Sequence, residues 1–347
     1  MRELVDRHPL VQLTLARFRE FLREPEAIFW VFAFPVLLTL ALGIAFRSQE
    51  TQAVPVGIVR AEGSDRLLTQ LRGDAGLDVR LIDPGEMDVL LRNGAVQIVV
   101  LPGTPPTYRF DPTRPESRLA RLTLDAALQR AAGRRDVWTP REELVVAPGS
   151  RYVDWVLPGL LGMNIMGTGL WGIGFAVVQA RTRKLLKRLM ATPMRRSDYL
   201  LSHVCSRLLF LALEVIAIVG FGVLAFGVPL NGSLWALAAI ALLGSLSFGG
   251  LGLLLASRPK TVEGVSGLMN LAMLPMWVLS GVFFSSENFP DVMQPFIKAL
   301  PLTALNAALR AVMIDGAALG SLWPEMLNLS AWGLGCFVVA LKIFRWR

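Results

Sequence analysis

From Ala27 to Phe46 the chain runs twenty residues without a charge. At about 1.5 Å per helical residue this run crosses the roughly 30 Å hydrocarbon core of a bilayer. No other feature constrains the fold as tightly, and the feature recurs. Trp155 to Ala180, Leu234 to Ala256 and Gly264 to Ser286 are uncharged as well. Val204 to Phe226 is apolar apart from Arg207 near its start and Glu214 inside it. Met326 to Leu341 is shorter, but Trp323 and the snorkelling side chains of Lys342 and Arg345 extend it. The charged fraction of 18% lies below the roughly 25% of soluble domains. The pattern predicts an α-helical integral membrane protein with six transmembrane helices. Pro35 falls inside the first run, where a proline is tolerated if a neighbouring helix satisfies the carbonyl it frees. That run exceeds the apolar core of a signal peptide and follows a long, acid-containing leader, so it reads as an uncleaved anchor.

Residues 47–152 have a different character. The β-branched runs VPVGIV (54–59), DVRLI (78–82) and VQIVVLP (96–102) are bounded by Gly, Pro and Asp, and TYRF (107–110) could add a strand. SDRLLTQLR (64–72), GEMDVLLRNG (85–94) and Arg118 to Ala132 read as helices between and after them. Alternating β-α-β-α-β implies a small α/β domain. Fifteen arginines against fourteen acids leave this block nearly neutral. It contains no cysteine, so no disulfide framework braces it. Its lack of lysine has no physical explanation.

The short segments between spans indicate sidedness. The 181–203 loop is strongly basic, the 257–263 loop sets Arg258 and Lys260 against Glu263, and the tail holds Lys342, Arg345 and Arg347. Six spans place all three on the side of the N-terminus, which the positive-inside bias makes cytoplasmic. The expected organisation is therefore a cytoplasmic amphipathic helix (1–26), a first transmembrane helix (27–46), an extracytoplasmic α/β domain (47–152), and five further spans (153–347). In the leader, Leu10, Thr14, Phe18, Phe21 and Leu22 recur at helical spacing among charges, the pattern of an interfacial helix.

Catalytic patterns are absent: there is no G-x-x-x-x-G-K-[ST] phosphate loop, no H-E-x-x-H and no G-x-S-x-G. Cys205 and Cys336 lie in apolar segments, and His8 and His203 form no metal motif. The net charge of +8 comes from loops beside spans rather than from a basic stripe interleaved with aromatics, which argues against nucleic acid. Glu214 is the one deep charge in the spans and must face a partner or a cavity, or be protonated. Arg207 lies two turns back on the same helix face, with its head expected nearer the cytoplasm. The pair could serve gating or substrate contact, or an interhelical hydrogen bond. The glycines of GLLGMNIMGTGLWGIG (159–174) and GGLG (249–252) permit close helix approach, either for general packing or for a dimer seam or translocation wall.

In the loop RTRKLLKRLMATPMRRSDYL (181–200), Leu185, Leu186, Leu189 and Met190 take one side of a short helix, with Arg183, Lys184, Lys187 and Arg188 interspersed. Thr192-Pro193 would end it. Such a helix can lie on anionic lipid or dock a cytoplasmic protein. The wider stretch RKLLKRLMATPMRRSDYLLSHVCSRL resembles the loop after the second span of permease subunits of ATP-binding cassette transporters, type-2 exporter class. YVDWVLPGLLGMNIMGTGLWGIGFAVV is similar to that family's second span. REPEAIFWVFAFPVLL (23–38) resembles its entry into the first span, and LSGVFFSSENFP with LPLTALNAALRAVM (279–313) its signature between the last two. The resemblance runs in order along nearly the whole chain.

The resemblance implies a bacterial inner-membrane exporter permease with both termini cytoplasmic. It would work as a homodimer or with a close paralogue, beside a separate ATPase subunit that uses ATP and Mg, while binding no cofactor itself. Residues 183–190 would be the coupling helix seated in that ATPase, and roughly 10–22 the interfacial elbow helix. The 284–314 stretch would dip into the membrane from outside, with Pro290, Pro295 and Pro301 breaking its helices. Gly281, Phe289, Asn306 and Arg310 complete this signature, although members often carry an acid where Asn306 stands. A path lined by Met, Leu, Phe and Gly suits a lipophilic drug, lipid or lipid-linked molecule. The outer domain could accept cargo, contact a periplasmic adaptor or gate the exit. Two other classes stay open: a membrane scaffold whose outer domain binds an envelope partner, and an ion-coupled secondary transporter.

Overall fold

The computed structural model describes residues 9–46, 53–134, 138, 141, 149–182, 196–259 and 261–343. The loop helix expected at 183–190 lies outside the described residues. The chain divides into two compact units, Ser48–Val145 and the remainder.

Helix α1 (Pro9–Leu22) carries Phe18 and Phe21 one turn apart, and both rings meet Phe210 of the third span, at 5.8 and 4.4 Å between centroids. It coincides with the roughly 10–22 expected for the amphipathic helix, and Pro25 opens the next helix. The first span (Pro25–Ala45) is interrupted by a π-helical turn, Phe29–Ala33. Pro35 follows directly, so the proline changes the helix winding where its missing N–H would have bonded.

The α/β unit is a four-stranded sheet in the order β2-β1-β3-β4. Strands β1 (Val54–Val59), β2 (Leu77–Ile82) and β3 (Ile98–Leu101) are parallel. Strand β4 (Thr107–Arg109) adds antiparallel to β3, so the TYRF segment does join the sheet. Alternation splits the core. Val56, Ile58, Ile98 and Val100 face helices α2 (Ser64–Leu71) and α4 (Pro115–Ala131) through Leu71, Ala120 and Leu124. Val59, Ile82 and Val99 face α3 (Met87–Arg92) on the other side. Helix α4 begins three residues earlier than the sequence suggested, because Pro115 at its first position is pre-set for a helix start.

The membrane unit continues with the second span (Tyr152–Gln179), the third (Cys205–Phe226), the fourth (Leu234–Ala256), the fifth (Val262–Leu279) and the sixth (Leu319–Ile343). Among the described residues, six helices are thus long and apolar enough to cross a bilayer. One boundary corrects the sequence reading. The fifth span ends at Leu279, not Ser286, because Ser280 caps it and Gly281 turns the chain at φ +69°. The α-helix of the sixth starts at Trp323, the residue expected to extend it, with Glu325 accommodated in the first turn of Trp323–Ile343, where the dipole favours an acid. Between them, α5 (Gln294–Ala299) and α6 (Pro301–Met313) belong to a pair of segments bent by 83°. Leu300 sits at the corner in an extended conformation, as a residue before proline prefers.

Glycine sets the helix distances. A Cβ at Gly169 would come 2.8 Å from Phe248, one at Gly252 would come 2.8 Å from the Leu170 carbonyl, and one at Gly250 would come 2.6 Å from the Gly333 carbonyl. The GGLG segment thus packs the second, fourth and sixth spans of this one chain against each other.

Candidate functional site

A chain of polar contacts links the first four spans. It begins at the Val31 carbonyl, four residues before Pro35, which has no N–H to offer it. Asn164 of the second span donates its Nδ2 to that carbonyl at 3.0 Å. One turn on, Thr168 Oγ1 lies 2.8 Å from the Asn164 carbonyl and 3.2 Å from Glu214 Oε2 on the third span. Its single proton serves one of them at a time. Glu214, only 1% exposed, pairs through Oε1 with Arg207 Nη1 at 3.2 Å. Arg207 in turn donates Nε to Ser245 Oγ of the fourth span at 2.9 Å. Its Nη2 is buried and has no hydrogen-bond partner among the described residues. The structure therefore corrects the expectation that Arg207 reaches away toward the membrane surface: the seven-residue spacing brings it back onto Glu214. Asn164, Thr168 and Ser245 are polar residues in uncharged runs, and that was their only signal in the sequence.

A second set of contacts forms around the bent pair. The fifth span's terminal carbonyls lack helical partners, and α6 supplies donors to them. Asn306 gives Nδ2 to the Ser280 carbonyl at 3.0 Å, and Arg310 gives Nη2 to the Gly281 carbonyl. Arg310 also donates Nε to the Trp155 carbonyl at 3.2 Å, with its guanidinium 3.7 Å from the centre of the Trp155 ring. Two glycines of the second span make room. A Cβ at Gly162 would fall 2.0 Å from Asn306 Oδ1, and one at Gly159 would fall 2.6 Å from the Val282 carbonyl. At the corner, Trp332 and Asn328 of the sixth span donate to the Ala299 carbonyl at 2.8 and 3.2 Å. Irregular backbone at membrane depth needs internal partners of this kind. Of the signature residues, Gly281, Asn306 and Arg310 are brought together, and Pro301 shapes the corner. Phe289 and Pro290 lie apart from this knot, in the turn before α5, where the side-chain amide Nε2 of Gln294 donates to the Phe289 carbonyl at 3.0 Å.

Sequence reading also missed a clamp at the start of the second span. Arg151 forms a two-pronged pair with the buried Asp154, at 2.8 and 3.0 Å, and donates to the Phe226 and Gly227 carbonyls that end the third span. The hydrogen bonds to Asp154 push the Arg151 guanidinium above its usual pKa. No group of acids, histidines or cysteines suited to a metal occurs among the described residues.

These elements, from the helix before the second span to the bent pair, also carry the chain's similarity to known proteins. The family described as ABC-2 type transporter matches residues 119–314, more than half of the chain. The chain belongs to the ABC-2 type transporter family. Within curated proteins it is 24% identical over 177 residues to the inner membrane transport permease YhhJ of Escherichia coli K12, covering 50% of this chain and 46% of that protein. It is 24% identical over 205 residues to a protein of the same organism named "Probable multidrug ABC transporter permease YbhR", covering 57% and 56%. It is 25% identical over 204 residues to the inner membrane transport permease YadH of that organism, covering 57% and 75%. The chain spans about half the length of the first two of these relatives. As an ABC-2 permease it is a multi-pass membrane protein, and the contacts among Asn164, Thr168, Arg207, Glu214, Ser245, Asn306 and Arg310 fall in the part that the family shares.

Proposed function

We propose that this chain is the membrane-spanning subunit of an ATP-driven exporter, moving a lipophilic drug, lipid or lipid-linked molecule out of the cytoplasm or inner leaflet. The observation that carries this reading is the ABC-2 match across 119–314, which takes in the second to fifth spans and the bent pair. The chain has no phosphate loop of its own, so ATP and Mg would be used by a separate ATPase subunit. Residues Arg183–Met190 form its docking helix in this reading, with Leu186 and Leu189 as apolar anchors and the bases setting orientation. The basic 181–203 and 257–263 segments favour cytoplasmic termini, with the α/β unit outside. A second permease copy completes the path. The polar chain across spans one to four holds these helices as one block, so that force applied at the loop moves them together. Membrane lipids surround it, and the α/β unit remains available to a periplasmic adaptor.

The test is affinity purification of the tagged protein from its host in mild detergent, with partner identification and an ATPase assay. Recovery of a P-loop ATPase in about equal amount, lost on Leu186→Asp with Leu189→Asp, is the expected result. Intact protein recovered without an ATPase would favour a scaffold instead. Transport that survives ATP depletion but collapses with the proton gradient would favour a secondary transporter built around Glu214.

A further inference from the structure

Helix α4 has two apolar faces. One is the core stripe of Ala120, Leu124 and Ala127, packed on the sheet. The other carries Leu119 and Leu122, 62% and 65% exposed, which a helix packed on one side has no reason to display. Arg118 and Arg121 lie beside these leucines. Together with Phe110, Pro112 and Leu122 they line a shallow cleft. Among the described residues, neither guanidinium forms a salt bridge with a carboxylate, and both are held in place by other contacts. Arg118 donates Nε to the Pro112 carbonyl at 2.6 Å, and Arg121 lies 5.9 Å from the centre of the Phe110 ring. Of the acids on α4, Asp125 accepts from Tyr108 and Gln129, and Glu116 stands in the first turn. The remaining guanidinium nitrogens are free to meet phosphate.

We infer that this face of α4 is a docking surface for an anionic lipid bilayer, with Leu119 and Leu122 entering the headgroup region and Arg118 and Arg121 engaging lipid phosphates. Paired arginines flanking exposed leucines on a helix match the chemistry of such a surface, apolar below and negative above. The sequence favours the bilayer over a free ligand. The unit is joined to a membrane span on each side of it, so an anionic surface is always at high effective concentration. The inference stands apart from the transport reading and needs no ATPase.

The test uses the full chain in lipid nanodiscs, with Cys205→Ala and Cys336→Ala so that one introduced cysteine carries a fluorophore. Leu119→Cys reports on the proposed surface. Val89→Cys on α3 is the control, because it is also exposed but on the helix that covers the opposite sheet face. Quenching by a lipid with a nitroxide headgroup measures approach to the bilayer. With phosphatidylglycerol present the Leu119 probe is expected to be quenched and the Val89 probe spared. About fivefold per arginine near an anionic surface predicts that Arg118→Gln with Arg121→Gln lowers the docked-to-undocked ratio on the order of 30-fold. High salt weakens docking in the parent. Equal quenching of both probes, no quenching of the Leu119 probe, or quenching that is the same in purely phosphatidylcholine discs and in the Gln variant would each overturn it. An unquenched Leu119 probe that is protected by an acidic protein instead would assign the face to a protein partner.

Discussion

Among the described residues, the membrane unit buries most of Arg207 and Arg310, and it holds them by opposite means. Arg207 is matched by a carboxylate, Glu214, and by a serine on the neighbouring span. Arg310 pairs with no acid among the described residues. It is held by the carbonyls of Trp155 and Gly281 and by the Trp155 ring. The first arrangement joins regular helices side by side. The second closes the end of the fifth span through the Gly281 carbonyl, where carbonyls are unpaired and carry the negative end of the dipole, and ties it to the first turn of the second span through Trp155. An arginine can therefore be buried as half of an ion pair or as a cap, and the two should fail differently.

The largest expected effect separates them directly. Glu214→Ala leaves Arg207 charged and unpaired, and breaking a buried pair this way costs about 3–5 kcal/mol. Arg207→Met with Glu214→Leu should recover most of that loss in thermal unfolding of the detergent-solubilised protein. A double variant as unstable as the single one would show that the pair is not an isolated unit. Next, Arg310→Met removes the ring contact, the bond to Trp155 and the donor that the Gly281 carbonyl needs, a loss of about 3 kcal/mol. Arg310→Lys should restore less than half of it, since an ammonium lacks the planar fork. Full rescue by lysine would mean that charge alone suffices, and the contrast with Arg207 would fall.

Asn164→Ala probes how the first span joins the polar chain. It strands the Val31 carbonyl and should cost about 1–3 kcal/mol. Pro35→Ala in the same chain supplies the missing helical N–H and should return much of it, measured as a double-mutant cycle. Additive losses would disprove the link between proline and asparagine. Thr168→Val is the mildest change, about 1 kcal/mol, because Glu214 keeps its arginine.

Much of this was legible in the sequence and some was not, for identifiable reasons. Residues Arg207 and Glu214 stood out because charge is rare at membrane depth, and their spacing of seven put them on one face. Their other partners, Thr168 and Ser245, could not be chosen from many similar residues, because which helices adjoin is a tertiary fact. Gly281 was named only within the signature, and an uncharged run carried the expected fifth span past it. Asn306 was noted for lacking the acid common in its relatives. Its amide donates to a helix-end carbonyl, a role that a carboxylate could fill only when protonated.

The sequence by itself determined the number of spans, the α/β unit and the family, because apolar run length, strand alternation and ordered motifs are properties of the chain in one dimension. Pro35 likewise announced from sequence alone that the Val31 carbonyl would need a partner. Only the tertiary structure decided that Asn164 is that partner, that Arg207 turns inward to Glu214, and that Arg310 caps the fifth span. The physical reason is that a freed carbonyl or a buried charge sets a requirement locally, while the group that meets it must come from whichever helix packs within about 3 Å.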